Sequence, residues 1–385
     1  MIYRQLFIVL IFGLVITSCS TTAQQQAFFL DTKVNWVRST LRSEYLGPKL
    51  INSMQPLLTD GKIYQGNVAD GIVALDEKTG KFLWRKQIKN GVGTGAAHHK
   101  GILYFSGNDG QFYAVKASNG QIVWTFPIQA ESLSAPVIDG ASVYFLAGSG
   151  TLYSLDLSNG KMNWSYTQRD NANINVRAAS SPVIDGSFLY VGFSDGTFAS
   201  FDKSKGFLKW ERNLATPQDR FKDIGATPVI SGDNIFVSTY SGILFSIKKS
   251  NGDINWKSEE GSSSAVTIDK NRIYYATSSR KVLALDKQTG KEIWSHTVKH
   301  GVGSKPAILK DMVIFGTSEG AVEVLSAIDG KFITQYSTGW GVSAPIAVNE
   351  VLENIYVMSN YGNIYSINLK WKRPSSQWPW ERKSL

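Results

Sequence analysis

A module of roughly forty residues recurs along this chain, and that recurrence limits the fold more than any single motif does. The clearest copy runs Ala74-Leu75-Asp76-Glu77-Lys78-Thr79-Gly80-Lys81-Phe82-Leu83-Trp84. Echoes end at Trp124, Trp164, Trp210, Trp256 and Trp294, and a seventh copy carries Thr334 at the Trp position. Successive spacings are 40, 40, 46, 46, 38 and 40 residues. Between them lie short alternating runs such as Leu103-Tyr104-Phe105 and Phe112-Tyr113-Ala114-Val115, parted by Asp109-Gly110. This is a strand-turn-strand pattern with a side-chain period of two. Four short strands per module are what a propeller blade requires.

Blade number follows from closure of the ring. Seven modules carry the turn ahead of positions 84, 124, 164, 210, 256, 294 and 334. A further stretch, about Ser343 to Leu369, has three strands and no outer one. Conversely, Val34-Asn35-Trp36-Val37 is a Trp-bearing strand with no inner strands before it. Joining the two fragments makes an eighth blade, whereas an open solenoid leaves both unpaired. The expectation is an all-β chain: an eight-bladed β-propeller of four-stranded antiparallel blades over residues 30–371, closed by its N-terminal strand.

Composition agrees. Hydrophobic residues at 43% against 18% charged supply a large core and exclude disorder throughout. The formal net charge of +9 is a mild excess that does not identify nucleic acid as a partner, and no nucleic-acid motif accompanies it. The single cysteine excludes an intramolecular disulfide and a Cys-based metal cage.

That cysteine is Cys19. Residues 1–18 read as a secretory signal, with Arg4 in the positive region and an apolar run from Leu6 to Ile16 that is too short to span a bilayer comfortably. The run ends in Ile16-Thr17-Ser18-Cys19, which resembles the bacterial lipobox. That resemblance implies cleavage before Cys19 and acylation of its thiol and new amine, and several acyl chains anchor a protein stably. Ser20, rather than an acidic residue, favours the outer membrane. Residues 19–29 are then the acylated Cys and a polar tether.

Subtracting the repeat isolates what is not structural. Stepping back 28 residues from each Trp position reaches Pro56, Ala96, Pro136, Pro182, Pro228, Val266 and Pro306, which open the inner strands. The last blade is read as opening at Pro345. Spacing differences therefore sit in the connections from outer to next inner strand. Two consecutive connections are lengthened, through Gln168–Ala179 and Ala215–Ala226. They lie on one face of the disc, where loops on a rigid scaffold usually bind. The first holds Ile174, Val176 and Arg177, and the second holds Asp223 within Asp219-Arg220-Phe221-Lys222-Asp223-Ile224. Apolar side chains rimmed by Arg and Asp suit a protein–protein contact.

Candidates for chemistry are few. Gly91-Val92-Gly93-Thr94-Gly95 hints at a phosphate loop. Related glycines recur at Gly301-Val302-Gly303 and Gly339-Trp340-Gly341, and no helix follows, so blade-connection geometry is the better reading. His98, His99, His296 and His300 show no metal-ligand spacing, and neither a Gly-x-Ser-x-Gly elbow nor an EF-hand pattern is present. No metal and no cofactor is expected. The tail, residues 372–385, is basic and aromatic.

The module resembles the tryptophan-docking repeat of pyrroloquinoline quinone proteins. In that family Trp36, Trp84, Trp124, Trp164, Trp210, Trp256 and Trp294 correspond to staples packed on the neighbouring blade's turn. Lipobox, eight such blades, length and loop placement together resemble the BamB family, lipoproteins of the outer-membrane β-barrel assembly machine. Ile174-Asn175-Val176-Arg177 matches that family's Leu-x-Leu-Arg segment conservatively. Asp223-Ile224-Gly225 matches its Asp-x-Asp except at Gly225, so Asp223 alone is carried over. The resemblance implies a non-enzymatic scaffold whose rim contacts a periplasmic POTRA domain of the barrel-forming subunit BamA, with unfolded barrel proteins as further partners. The alternatives are a quinoprotein dehydrogenase, whose relatives are longer and place Ca²⁺ with the cofactor, and an envelope adaptor for another partner.

Overall fold

The computed structural model describes residues 29–42, 51–128, 130–131, 134–168, 180–216, 219, 221–240, 242–258, 260–261 and 264–372. Cys19, Ile174, Val176, Arg177 and the tail from residue 373 lie outside them. One compact unit runs from Leu30 to Lys370. Of the second unit, residues 1–29 and 371–385, only Phe29, Trp371 and Lys372 are described.

All described regular structure is strand, in eight four-stranded antiparallel sheets: an eight-bladed β-propeller. The first blade consists of Leu57–Thr59, Lys62–Asn67, Gly71–Asp76 and Phe82–Gln87. The eighth takes three strands from the C-terminal end, Ala347–Asn349, Asn354–Met358 and Asn363–Lys372, and its outer strand from Phe29–Ser39. Each inner strand starts one residue after the predicted opening position, at 57, 97, 137, 183, 229, 267 and 307. The eighth starts at Ala347, so its register position is Ile346 and not Pro345. Pro345 instead stands one residue before the register position, among the residues lining the channel.

The core lies between blades. Each hydrophobic cluster draws on two neighbours, as where Tyr104, Phe112 and Ala114 of the second blade meet Val143, Phe145 and Leu155 of the third. The middle two strands are almost fully buried, whereas the outer strands alternate. A bulge just before the outer-strand Trp of the first six blades turns two successive residues outward, which is why Leu83, Val123 and Ile293 are exposed.

Seven tryptophans couple the blades. Trp36, Trp84, Trp124, Trp164, Trp210, Trp256 and Trp294 donate their indole N–H to the carbonyls of Glu77, Ala117, Leu157, Lys203, Lys249, Lys287 and Ala327, at 2.9–3.3 Å. Each indole lies against a turn glycine of the next blade. A Cβ on Gly160 (φ +72°) would fall 2.6 Å from Cε3 of Trp124, and the same holds around the ring from Gly80 to Gly330. Glycine is required there twice over, by backbone conformation and by contact. A second donor shares the carbonyl: Tyr64, Tyr104, Tyr190 and Tyr274 reach the same oxygens at 3.1–3.3 Å. Their rings tilt on the indoles at centroid separations of 5.8–6.0 Å.

Thr334 now has a physical explanation. The Trp of each blade docks on the turn between the third and outer strands of the next. In the eighth blade those strands come from opposite ends of the chain, so no such turn exists and a Trp at 334 has nothing to dock on. Its neighbours change accordingly. Ile314 occupies the tyrosine register and Val324 pairs with Thr334, where Ala74, Ala114 and Ala284 pair with tryptophans. On the other side of the closing blade the joint is reinforced: the Glu77 carboxylate accepts from Asn349 Nδ2 at 2.7 Å and from the Tyr356 hydroxyl at 3.0 Å.

Candidate functional site: the loop face and the central channel

Antiparallel pairing puts every connection between blades on one face, together with the turns between second and third strands. Two of the short connections are pinned from both sides in the same way. Val92 N–H donates to Asn67 O and Val342 N–H to Thr317 O, while Gly91 O and Gly341 O accept from Asn108 and Asn360 of the following blade. Gly91, Gly301 and Gly341 each stand seven residues after the outer-strand position with positive φ (+76°, +70° and +28°), although in the connection through Gly301 the accepting carbonyl is that of Val302. The glycine-rich segments are therefore blade connections, and the third belongs to Gly341-Val342-Ser343 and not to Gly339-Trp340-Gly341. The apolar residue after that glycine inserts where the second strand ends in glycine: Val92 over Gly66 and Val342 over Gly316, both fully buried. Where that strand carries Ala276, Val302 is turned out and 42% exposed.

The lengthened connection at 215–226 uses the same anchors. Ile224 packs on Gly192 and is fully buried, and its N–H donates to Phe193 O at 3.1 Å. Asp223 takes the register of Gly91 and Gly341, its carbonyl accepting from Tyr240 N–H at 2.9 Å. Asp223 is 0% exposed. Its carboxylate is therefore buried and does not face outward. Upstream, Asp219 Oδ2 accepts from Thr216 N–H at 2.6 Å, and Phe221 meets Tyr240 edge-on at 5.6 Å. Among the described loop-face residues, Trp340 is half-exposed and stacks on Tyr361 at 3.6 Å.

The connections converge on a cavity of about 840 Å³. Each blade sends in the residue just before its register position: Gln55, Gly95, Ala135, Ser181, Thr227, Ala265, Lys305 and Pro345. In a second layer, two residues earlier, the described residues are all small: Ser53, Gly93, Gly225, Gly303 and Ser343. Gly225, where the family resemblance leads one to expect an acid, thus faces the channel and not the rim. Lys305 is the one charged residue among the described lining. The histidines do not converge: His98 Nδ1 lies 3.2 Å from Thr59 Oγ1, and His296 Nε2 is 3.4 Å from Glu323 of the next blade.

The channel ring, the shared carbonyls and the buried state of Asp223 were not read from the sequence. The first two carried a signal there, in the residue preceding each register position and in the Tyr recurring ten residues ahead of Ala74, Ala114 and Ala284.

Comparison with known proteins places this architecture. Among solved structures it is similar to BamB from Moraxella catarrhalis (TM-score 0.76, 19% identity, covering 88% of this chain and 100% of that one). It is also similar to the quinohemoprotein alcohol dehydrogenase of Comamonas testosteroni (TM-score 0.73, 14% identity, 90% and 78%). Both likenesses concern the fold. In sequence, Escherichia coli outer membrane protein assembly factor BamB is 28% identical over 115 residues, 29% of this chain and 28% of that protein. A quinone-dependent alcohol dehydrogenase subunit from Gluconacetobacter polyoxogenes is 33% identical over 102 residues, 22% and 14%. The alignment to the curated BamB proteins thus spans under a third of their length. The family model described as outer membrane protein assembly factor BamB matches residues 69–296 and 251–377, which is most of the propeller. The chain belongs to the BamB family.

Proposed function

We propose that this chain is a non-enzymatic lipoprotein scaffold of the β-barrel assembly machinery, anchored at the outer membrane through acylated Cys19 and facing the periplasm. Its loop face binds a POTRA domain of a BamA-type subunit and thereby assists insertion of barrel proteins. The observation carrying this reading is the family model's match along the propeller, joined to two adjacent lengthened connections on one face. Ile174, Val176 and Arg177 supply the contact, apolar at its centre and charged at its edge. Asp223 is assigned a supporting role, holding the second connection in shape, because its side chain is buried.

Dehydrogenases share the repeat, but the channel does not suit their metal-bound quinone. No carboxylate appears among its described lining residues, so a Ca²⁺ ion has no anionic ligand there.

The test uses the full chain as bait in a detergent extract of Gram-negative envelopes, beside an Arg177→Glu bait. Wild type is expected to retain the barrel-forming subunit and the variant to lose it, a cost of about 2–5 kcal/mol for a charge made repulsive at an interface. Equal retention by both baits sinks the rim assignment. Retention of a different envelope protein by both sinks the assembly role.

A further inference from the structure

We propose that the central channel is a binding site for a small oxyanion, a compound carrying a carboxylate or phosphate group, held by the Lys305 ammonium. The register ring places one residue of each blade around the cavity, and seven of the eight are uncharged. Lys305 sits between Ala265 and Pro345, which offer its ammonium no side-chain acceptor, and no hydrogen bond or ion pair joins it to any described residue. Elsewhere in the molecule lysines at the blade edges are paired across the joint: Lys203 with Asp139, and Lys249 with Asp185 at 2.7 Å. Lys305 is half-buried, and a cation drawn partly out of water without a counter-charge is costly, so proteins ordinarily pair it or coordinate it. Burial pushes the Lys305 pKa below the usual lysine value, as expected for an ammonium lacking an anion.

The rest of the ring is suited to an anion. Ser181 Oγ accepts from Ala135 N–H at 2.8 Å, which leaves its own O–H proton free to donate into the cavity. The Gln55 amide donates to Ile346 O at 3.0 Å and so is fixed in place. The described residues of the adjoining layer are small, and about 840 Å³ accommodates a ligand larger than a single ion. No acidic side chain among the described lining residues repels an anion.

The test is titration calorimetry of the full chain in a non-ionic detergent, at fixed ionic strength in chloride, with inorganic phosphate in one arm and citrate in the other. Wild type is expected to bind at least one of them at a single site. Lys305→Met should weaken that binding about ten-fold or more, as loss of a charge-assisted hydrogen bond does, while Lys305→Arg retains it. The two arms tell a phosphate-bearing from a carboxylate-bearing ligand. Binding of neither anion overturns the proposal, as does Lys305→Met binding like wild type. Lys305→Gln provides a second neutral variant if methionine disturbs the packing, with circular dichroism confirming the fold. The site lies in the channel and not on the rim, so its failure is distinct from failure of the partner contact.

Discussion

Two glycines of the third blade allow the tryptophan staple to be weighed separately from backbone conformation. Gly140 and Gly160 both have positive φ, +57° and +72°. A Cβ on Gly140 meets nothing within 4 Å, whereas one on Gly160 falls 2.6 Å from Trp124 Cε3 and 2.8 Å from Cδ2. Alanine at either site pays the left-handed penalty of roughly 1–2 kcal/mol. Only at Gly160 must the indole also move, which strains its hydrogen bond to Leu157 O at 3.0 Å and adds about 1–3 kcal/mol of overpacking. Gly140→Ala should therefore cost about 1–2 kcal/mol and Gly160→Ala about 2–5 kcal/mol. Urea unfolding followed by far-ultraviolet circular dichroism reads the difference as a shift of midpoint. The decisive step is the double variant. In a Trp124→Ala background there is no ring to displace, and the further loss from Gly160→Ala should fall to the Gly140 level. Equal losses at the two glycines, or an undiminished Gly160 penalty without the indole, would refute the docking argument.

Two further outcomes are expected. Thr334→Trp should bring no stabilisation and a solvent-exposed indole, seen as red-shifted fluorescence, because the eighth blade has no turn to receive it; a raised unfolding midpoint contradicts this. Burial pushes the Tyr275 and Tyr356 hydroxyls up to about 12. An unfolded tyrosine ionises near pH 10, so between about pH 10 and 12 the unfolded chain holds fewer protons and stability falls as pH rises. Tyr275→Phe and Tyr356→Phe should each flatten that fall, and an unchanged slope of melting temperature over this range counts against it.

Architecture was legible in the sequence because each blade repeats the same physical problem. Seven Trp positions at near-constant spacing fixed the module, and the two incomplete ends, around Trp36 and after Ser343, could be reconciled only by joining them. The single-residue error at Pro345 arose because proline also opens inner strands elsewhere, at 56, 136, 182, 228 and 306. The register at Ile346 became visible only through strand pairing. The site was harder to read. Asp223 looks like a rim charge from its neighbours Arg220 and Lys222, yet the adjoining Ile224 must reach Gly192, and that insertion draws the carboxylate inside. The burial of this loop segment thus involves one missing Cβ in a strand more than thirty positions away. Lys305 was obscured for a similar reason: only ring geometry shows that its neighbours around the cavity are Ala265 and Pro345.

The closing blade also sets a timetable. Asn35 Nδ2 reaches Asn354 Oδ1 and Ser366 Oγ at 3.3 Å, partners 319 and 331 residues away along the chain. At about 5–20 residues per second of synthesis, the first strand exists for roughly 15–60 s before the last three have even been made. Throughout that interval Phe29–Ser39 is a bare strand with an unpaired edge on both sides, the kind of segment that pairs with whatever strand it meets. Ring closure is therefore the last step open to the chain, and until it happens the N-terminal strand stays available to wrong pairing along its edges.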